Sequence, residues 1–93
     1  MKEFKGTKGK WKILPTSEYR KWVNVTSEKG VIARVFYGEA PPVVYKEEAE
    51  ANAKLIAAAP DLLEVLQNIE NDDKSIPKKI WDMRNKAIKK ALN

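Results

Sequence analysis

Positively charged and aromatic side chains alternate near the N-terminus of this chain. The set comprises Lys8, Lys10, Trp11, Lys12, Tyr19, Arg20, Lys21 and Trp22. Proteins that bind nucleotides use these two kinds of side chain, because cations bind phosphate and flat rings stack on bases. The pattern therefore indicates a site for an anionic ligand with an aromatic part. It also fits a simpler structure in which Trp11 packs in the core and the lysines keep one face of a strand in solvent.

The predicted site includes one cation from further along the chain, Arg34. We predict that ligand binding uses Lys10, Trp11, Lys12, Tyr19, Arg20, Lys21, Trp22 and Arg34. Trp22 is the more informative tryptophan, since Val23 and Val25 compete with it for the buried face of a strand. Arg34 lies among apolar neighbours, so it either pairs with a carboxylate of residues 47–50 or faces the ligand. The sequence leaves both alternatives open.

The residue types that usually carry catalysis are scarce. The chain has no Cys and no His, so thiolate chemistry and the commonest general base are both absent. The carboxylates cluster in residues 47–50 and 72–73, where helix ends are predicted and acidic side chains are ordinary. The four glycines fit no phosphate-binding or dinucleotide-binding spacing. We therefore predict a protein that is not an enzyme and that uses no metal or other cofactor.

The composition describes a small folded domain without disulfide bonds. The chain has 93 residues, 43% of them hydrophobic, and its three tryptophans argue against disorder. No apolar run approaches the ~18 residues that a membrane-spanning helix needs. We predict a single domain over residues 1–93, with a loose basic arm at 1–9, a β-rich half at 10–45 and a helical half at 46–93.

Charge is distributed in three blocks rather than evenly. The net charge of +5 combines +6 in residues 1–38, −7 in residues 39–73 and +6 in residues 74–93. The acidic middle block could neutralise the basic ends within one fold, or one basic face could remain free for an anionic partner. Composition alone does not distinguish these arrangements.

Period-two alternation predicts three strands in the first half of the chain. We expect them at residues 10–14, 19–26 and 31–37. Ser27 to Gly30 between the last two strands is typical of a hairpin turn in which the glycine adopts a left-handed conformation. Apolar residues on both faces of 31–37 predict that this is the central strand. Residues 43–45 are compatible with a short edge strand and equally with a loop.

The longest helical signal covers residues 47–71 and contains one proline. Pro60 lacks the N–H that a helix interior needs, so it either begins a helix or kinks one. We favour two helices, at 47–58 and 60–71, over one bent helix. The second segment carries a broad apolar face that we predict to be core, formed by Leu62, Leu63, Leu66 and Ile69.

A face of small side chains precedes the proline. It consists of Ala49, Ala53, Ile56 and Ala57 at helical spacing, with Asn52 beside them. Because alanines let another backbone approach closely, we predict that these five residues form a tight contact. We assign them to the interface between subunits of a homo-oligomer.

A basic helix is expected at the C-terminus. Ser75 and Pro77 signal its start, and its apolar residues, Trp81 among them, are expected to dock on the core while its lysines stay in solvent. Together the elements predict an α+β fold in which a three-stranded antiparallel meander precedes two or three helices packed on one face.

Three sequence features resemble one family of proteins. The run ANAKLIAAAPDLLEVL at 51–66, the N-terminal GTKGKW at 6–11 and the closing basic helix are similar to those of small phage and prophage proteins. The resemblance implies an origin in a mobile element and a β-rich front half. It implies a location in the cytoplasm of a bacterial host. No catalytic residues and no single activity come with it.

These observations lead to three hypotheses about function. The first is a non-enzymatic phage accessory protein that holds an anionic ligand, such as a nucleotide signal of host defence, and so sequesters it. The second is a nucleic-acid-binding accessory protein, whose affinity would fall as salt rises. The third is a protein-interaction module that inhibits a host factor through its helical half. A shared pocket at Arg20, Trp22 and Arg34 would favour the first, and an open stripe the second.

Overall fold

The computed structural model describes residues 3–15 and 19–93 of the chain. It contains the strands β1 (Lys12–Leu14), β2 (Trp22–Ser27) and β3 (Gly30–Phe36) and the helices α1 (Lys46–Asn68) and α2 (Lys78–Leu92). The strands form one antiparallel sheet in the order β1-β2-β3. The predicted α+β class and three-stranded antiparallel sheet are confirmed, and the described part of the chain has two helices.

The hairpin between β2 and β3 is built around the predicted turn. Ser27 pairs with Gly30, and Gly30 has a φ of +139°, which glycine reaches without a clash at Cβ. The hydroxyl oxygen of Ser27 accepts a hydrogen bond of 3.1 Å from the Lys29 N–H. These local contacts explain why the chain reverses at this point, and they confirm the predicted turn.

A β-bulge shifts the register within this hairpin. Thr26 pairs with Val31 on the turn side of the shift. Val25 pairs with Ala33 on the other side, so β3 carries one extra residue there. The bulge determines which side chains of β2 and β3 lie opposite each other in the rest of the hairpin.

The central strand is β2, and the prediction that the third strand is central was wrong. β1 pairs with the other edge of β2, where Ile13 lies opposite Val25. β3 is therefore an edge strand, and its Val31 and Phe36 are each 52% exposed. Alternation along a strand shows which of its faces are apolar. The order of the strands depends instead on which strand pairs with each edge of its neighbours.

Residues 43–45 form a single bridge rather than a strand. Val44 makes an isolated parallel bridge with Tyr37. The Gly38 N–H donates a hydrogen bond of 2.9 Å to the Val44 carbonyl oxygen. This contact fixes the connection just before α1 begins at Lys46.

Helix α1 continues through Pro60, so the favoured prediction of two separate helices at 47–58 and 60–71 was wrong. The helix spans Lys46–Asn68 without a break. Proline removes one backbone hydrogen bond and crowds the preceding turn. Three alanines immediately before it, at 57–59, have the highest helix propensity and support that turn.

The alanine face of α1 packs on the chain's own sheet. Ala49 and Ala53 are fully buried. Ala53 joins Val23 and Val25 of β2 in the buried core, with partly buried neighbours from β1, β3 and α1. The absence of large side chains on this face allows the helix to approach the sheet closely. The tight contact predicted for these alanines is thus made within one chain.

The leucine face of α1 is not the core, contrary to prediction. Leu62 is 49% exposed and Val65 is 59% exposed. Leu63, Leu66 and Ile69 are half-buried. None of these residues is among the described side chains that pack on the buried core of Val23, Val25 and Ala53.

Helix α2 packs against α1 rather than on the sheet. Among the described elements it contacts α1 alone. Ile88 is its one buried apolar residue, with 6% exposure, and Trp81 is half-buried. The predicted docking of this helix is therefore made against another helix. Within residues 3–15 and 19–93, no helix combines the length and apolar character needed to cross a membrane.

Residues 3–9 lie against Trp11 and the second half of α1. The indole N–H of Trp11 donates a hydrogen bond of 3.1 Å to the Thr7 carbonyl oxygen. The Phe4 ring lies 6.5 Å from the Trp11 ring, centroid to centroid. Lys8 and Glu3 form an ion pair within this segment. Residues 1–2 of the predicted arm lie outside the described residues.

Candidate functional site

The candidate site lies on the face of the sheet opposite α1, which we call the outer face. Its residues alternate with the core residues and are Lys12, Leu14, Trp22, Asn24, Thr26, Arg34 and Phe36. Leu14 lies opposite Asn24, and Asn24 lies opposite Arg34 across the sheet. In the described part of the chain, α1 is the one helix that contacts the strands. No described helix therefore covers the outer face, although Thr26 on this face is buried.

Two arginines converge on one ring at the centre of this face. The guanidinium carbon of Arg20 lies 5.1 Å from the centroid of Trp22, and that of Arg34 lies 4.9 Å from it. Both distances suit a cation–π contact. The two guanidiniums are therefore at most about 10 Å apart. This separation is comparable to the ~8 Å over which physiological salt screens a charge, so the positive potentials of the two guanidinium groups reinforce each other near Trp22.

A second ring extends the aromatic surface. Phe36 lies opposite Trp22 in the hairpin, and the two ring centroids are 5.6 Å apart at an interplanar angle of 65°. This edge-on arrangement is a favourable aromatic geometry. Phe36 is 52% exposed, whereas Trp22 is half-buried under the arginines. Phe36 thus presents a ring surface that a ligand could reach.

The two arginines are not neutralised by carboxylates in the described part of the chain. The ion pairs there join Lys8 to Glu3 and Lys78 to Asp82. Arg34 lies on Trp22 instead of pairing with an acidic residue of 47–50, so the first of its two predicted arrangements is not found. Positive charge consequently remains on the outer face beside two rings.

Asn24 adds a polar atom between Leu14 and Arg34. Its side-chain oxygen is buried and accepts no hydrogen bond from the described residues. An unsatisfied buried carbonyl oxygen costs about 1–3 kcal/mol. It is an acceptor that a donor group on a ligand could satisfy after a small rearrangement of the neighbouring side chains.

The structure separates the other predicted ligand-binding residues from this cluster. Trp11 lies on the core side of the sheet, as in the simpler alternative. Lys10 lines a cleft of about 340 Å³ between the N-terminal arm and α1. Lys12 is exposed on the outer face opposite Thr26, Lys21 is exposed just before β2, and Tyr19 is 94% exposed. Of the eight predicted residues, the structure brings together Arg20, Trp22 and Arg34.

Sequence reasoning missed Phe36. A hairpin paired without a bulge from Ser27 and Gly30 would place Val35 opposite Trp22. The extra residue in β3 moves the pairing by one position, so that Phe36 takes that place. The sequence signal that could have identified Phe36 is its position two residues after Arg34, which places both side chains on the same side of the strand.

The predicted subunit interface is divided by the fold. Ala49 and Ala53 are fully buried against the sheet, and Ile56 and Ala57 pack beside the same core. Asn52 is exposed. A second subunit could therefore reach Asn52 but not the two buried alanines. The subunit interface itself stays a prediction.

The described residues form no cluster of three or more potential metal ligands of the His, Cys, Asp and Glu types. A cleft of about 780 Å³ lies between the loop at 69–77 and α2, and it is lined by both acidic and basic side chains. Arg84, its most buried cation, already donates hydrogen bonds to the carbonyl oxygens of Leu66 and Gln67. Arg20 and Arg34 of the outer face therefore have more of their charge available to a ligand than Arg84 has.

Comparison with known families places the chain among phage proteins. The family described as Salmonella phage P22 protein Y8K6 matches residues 1–93. The chain belongs to this family. The predicted origin as a small phage protein is thereby confirmed. The comparison with curated proteins gives no match, and neither does the comparison with solved structures.

Proposed function

We propose that this phage protein is a non-enzymatic accessory protein that binds single-stranded nucleic acid on the outer face of its sheet. The observation that carries the proposal is the cluster of Arg20 and Arg34 on Trp22, with Phe36 beside it. Guanidinium groups bind phosphate oxygens, and an exposed ring stacks on a base. The cluster holds both groups within the span of one or two nucleotides.

The outer face favours a nucleic-acid strand over a small enclosed ligand, because no described helix covers it. Neighbouring strands of a sheet lie about 4.8 Å apart, so the line from Leu14 through Asn24 to Arg34 spans about 10 Å. A flexible chain can follow such a surface, whereas a free nucleotide is usually enclosed on most sides. Sequestration of a nucleotide signal uses the same phosphate and base contacts. It is therefore a competing outcome of the same experiment.

Each residue of the cluster has a distinct role in the proposal. Phe36 provides the stacking surface, since its ring is the more exposed of the two. Arg20 and Arg34 contact the backbone phosphates, and Trp22 holds both guanidiniums in place. The amide oxygen of Asn24 accepts a hydrogen bond from a base amino group or a sugar hydroxyl.

The experiment measures fluorescence anisotropy of labelled single-stranded DNA and RNA of about 12 nucleotides, at about 50 mM and about 200 mM salt. We expect binding that weakens as salt rises. Phe36→Ala should lower the affinity by about 5- to 150-fold, because one stacked base contributes about 1–3 kcal/mol. Arg34→Ala should lower it and reduce the slope of log affinity against log salt by about 1.

Matched controls come from the same hairpin. Val31 is as exposed as Phe36 and lies in the same strand, so Val31→Ala should leave the affinity unchanged. Lys29→Ala removes a turn cation and should have a smaller effect than Arg34→Ala. Equal losses of affinity within the pair Phe36→Ala and Val31→Ala, and within the pair Arg34→Ala and Lys29→Ala, would contradict the proposal. Tight binding of free mononucleotides or cyclic dinucleotides with no binding of oligonucleotides would instead support sequestration.

A further inference from the structure

Asn24 occupies the middle of the outer face. It lies opposite Leu14 of β1 on one side and opposite Arg34 of β3 on the other. Trp22 precedes it by two residues on the same face of β2. Asn24 is therefore next to Arg34, which contacts phosphate in the proposed function, and next to the ring on which the Arg34 guanidinium lies.

The side-chain oxygen of Asn24 is a hydrogen-bond acceptor without a donor. Among the described residues it is buried and accepts no hydrogen bond, although Asn24 as a whole is half-buried. Buried polar atoms nearly always have partners, so an acceptor without one calls for an explanation. The torsion about the bond from Cβ to Cγ of asparagine has broad preferences, and rotation about it moves the oxygen without moving the strand. The acceptor is thus within reach of a ligand that carries a donor group.

The position of Asn24 determines which part of a nucleotide it meets. Residues directly opposite each other in an antiparallel pair have Cβ atoms about 4.5–5.5 Å apart, and Asn24 and Arg34 are such a pair. Asn24 and Phe36 are diagonal neighbours, for which the separation is about 7–8 Å. Asn24 is therefore nearer to the side chain that binds phosphate than to the ring that stacks on a base.

The donor of a nucleotide that lies closest to its phosphate is the 2′-hydroxyl of ribose. This hydroxyl is bonded to the sugar carbon next to the one that carries the 3′-phosphate, whereas the amino groups of the bases project from the edge of the base. A phosphate held by Arg34 therefore brings a ribose hydroxyl beside Asn24. DNA has no such hydroxyl, and this group is what allows a protein to distinguish RNA from DNA.

We propose that the outer face prefers single-stranded RNA over single-stranded DNA, and that Asn24 determines this preference by accepting a hydrogen bond from a ribose 2′-hydroxyl. The preference rests on the proposed function, since it needs a phosphate at Arg34 and a base at Phe36. Asn24 adds the sugar as the third part of the nucleotide that the site recognises. Because one hydrogen bond distinguishes the two ligands, the affinity for RNA exceeds that for DNA by about 2- to 12-fold.

Fluorescence anisotropy with three oligonucleotides of one base sequence tests the proposal. Each has about 12 nucleotides, contains adenine and cytosine only, and carries ribose, deoxyribose or 2′-fluororibose. The fluorinated sugar retains the conformation of ribose but cannot donate a hydrogen bond at this position. We expect the unsubstituted protein to bind the RNA about 2- to 12-fold more tightly than either of the other two.

Asn24→Leu removes the acceptor and keeps a side chain of similar size. It should lower the affinity for RNA to that for DNA, and the melting temperature should stay equal or rise, because a buried oxygen without a donor is lost. Thr26→Val is the matched control, since Thr26 is the next residue on the same face of β2 and is 7% exposed. It removes a hydroxyl farther from Arg34 and should leave the ratio of the two affinities unchanged.

The outcomes separate a failure of this preference from a failure of the proposed function. Equal affinities for RNA and DNA, or a preference for DNA, would overturn the role of Asn24 and leave nucleic-acid binding intact. A preference for ribose that persists with 2′-fluoro RNA or in Asn24→Leu would also overturn it, because sugar conformation or other residues would then be responsible. The absence of binding to all three oligonucleotides would overturn the proposed function and this preference with it.

Discussion

The guanidinium of Arg84 closes the C-terminal end of α1. Its Nε–H donates to the Leu66 carbonyl oxygen at 2.9 Å, and a terminal N–H donates to the Gln67 carbonyl oxygen at 3.3 Å. The last carbonyl groups of a helix lack partners within the helix and carry partial negative charge. Since α1 has no basic residue in its own last turn, the positive charge at this helix end comes from Arg84 of α2. The guanidinium also lies 4.5 Å from the centroid of the Trp81 ring.

We predict that Arg84→Ala lowers the free energy of unfolding by about 1–3 kcal/mol, because two carbonyl oxygens lose a charged donor. Urea denaturation measures the effect. Arg84→Lys should recover only part of it, since one ammonium group cannot reproduce a two-pronged, ring-stacked contact. Lys86→Ala, an exposed cation of the same helix, should change stability by less than about 0.5 kcal/mol. An equal loss in both alanine variants would mean that net charge, and not this contact, is responsible.

The outer face depends on residues that are remote in sequence. Trp22 and Arg34 come from different strands, and Arg20 precedes β2. Their convergence on one ring makes them a unit, so changes to them should not be additive. The binding measurements with Phe36→Ala and Arg34→Ala therefore test the face as a whole, and Val31→Ala tests whether any exposed β3 residue would serve equally.

At the scale of the element, α1 shows how packing can override a local signal. Proline in a helix interior costs roughly 3 kcal/mol relative to alanine. Both halves of this helix are held in place, since Ala53 packs on the sheet and Leu66 is bonded to α2. A helix fixed at both ends can retain one unfavourable residue between them.

Pro60→Ala is expected to raise the free energy of unfolding by about 1–3 kcal/mol, because it restores a backbone donor and removes the ring from the preceding turn. The measurement is urea denaturation. Ala59→Gly, at the exposed neighbouring position, should lower stability by about 1 kcal/mol. If Pro60→Ala destabilises the protein, then the contact of the proline ring with the N-terminal arm, which it adjoins in the smaller cleft, contributes more than the helix gains.

At the scale of the whole molecule, the distance between α1 and the sheet is determined by alanine. Ala49 and Ala53 are fully buried where a larger side chain would hold the helix away from β2. Valines supply the apolar volume from the sheet side. Leu55 and Leu62 lie on the side of α1 away from these alanines and are exposed.

Ala53→Leu should lower the free energy of unfolding by about 1–3 kcal/mol, since the added methyl groups overfill a closely packed contact. Thermal denaturation at a fixed protein concentration is a suitable measurement. Ala51→Leu, at an exposed position of the same helix, should be nearly neutral. A neutral Ala53→Leu would show that the helix can move away from the sheet at little cost, and that the alanine face is not under tight steric constraint.

The sequence by itself determined the features that depend on neighbouring residues. Ser27 and Gly30 specify the hairpin turn, alternation specifies three strands, and helical spacing specifies helical segments on both sides of Pro60 and at the C-terminus. The interleaved cations and rings also predicted Arg20 and Trp22 as candidate site residues, and a cation among apolar neighbours predicted Arg34. These signals are local, because turn conformation, φ and side-chain direction depend on residues a few positions apart.

Only the tertiary structure decided the order of the strands, the face of α1 that is buried and the partner of Trp22. β2 is central because β1 pairs with the edge of β2 that β3 leaves free. The alanines of α1 face the sheet because they allow the closest approach of the helix. Phe36 reaches Trp22 through a one-residue bulge. Each outcome depends on the free energy of packing between segments that are distant in sequence, which periodicity along the chain does not encode.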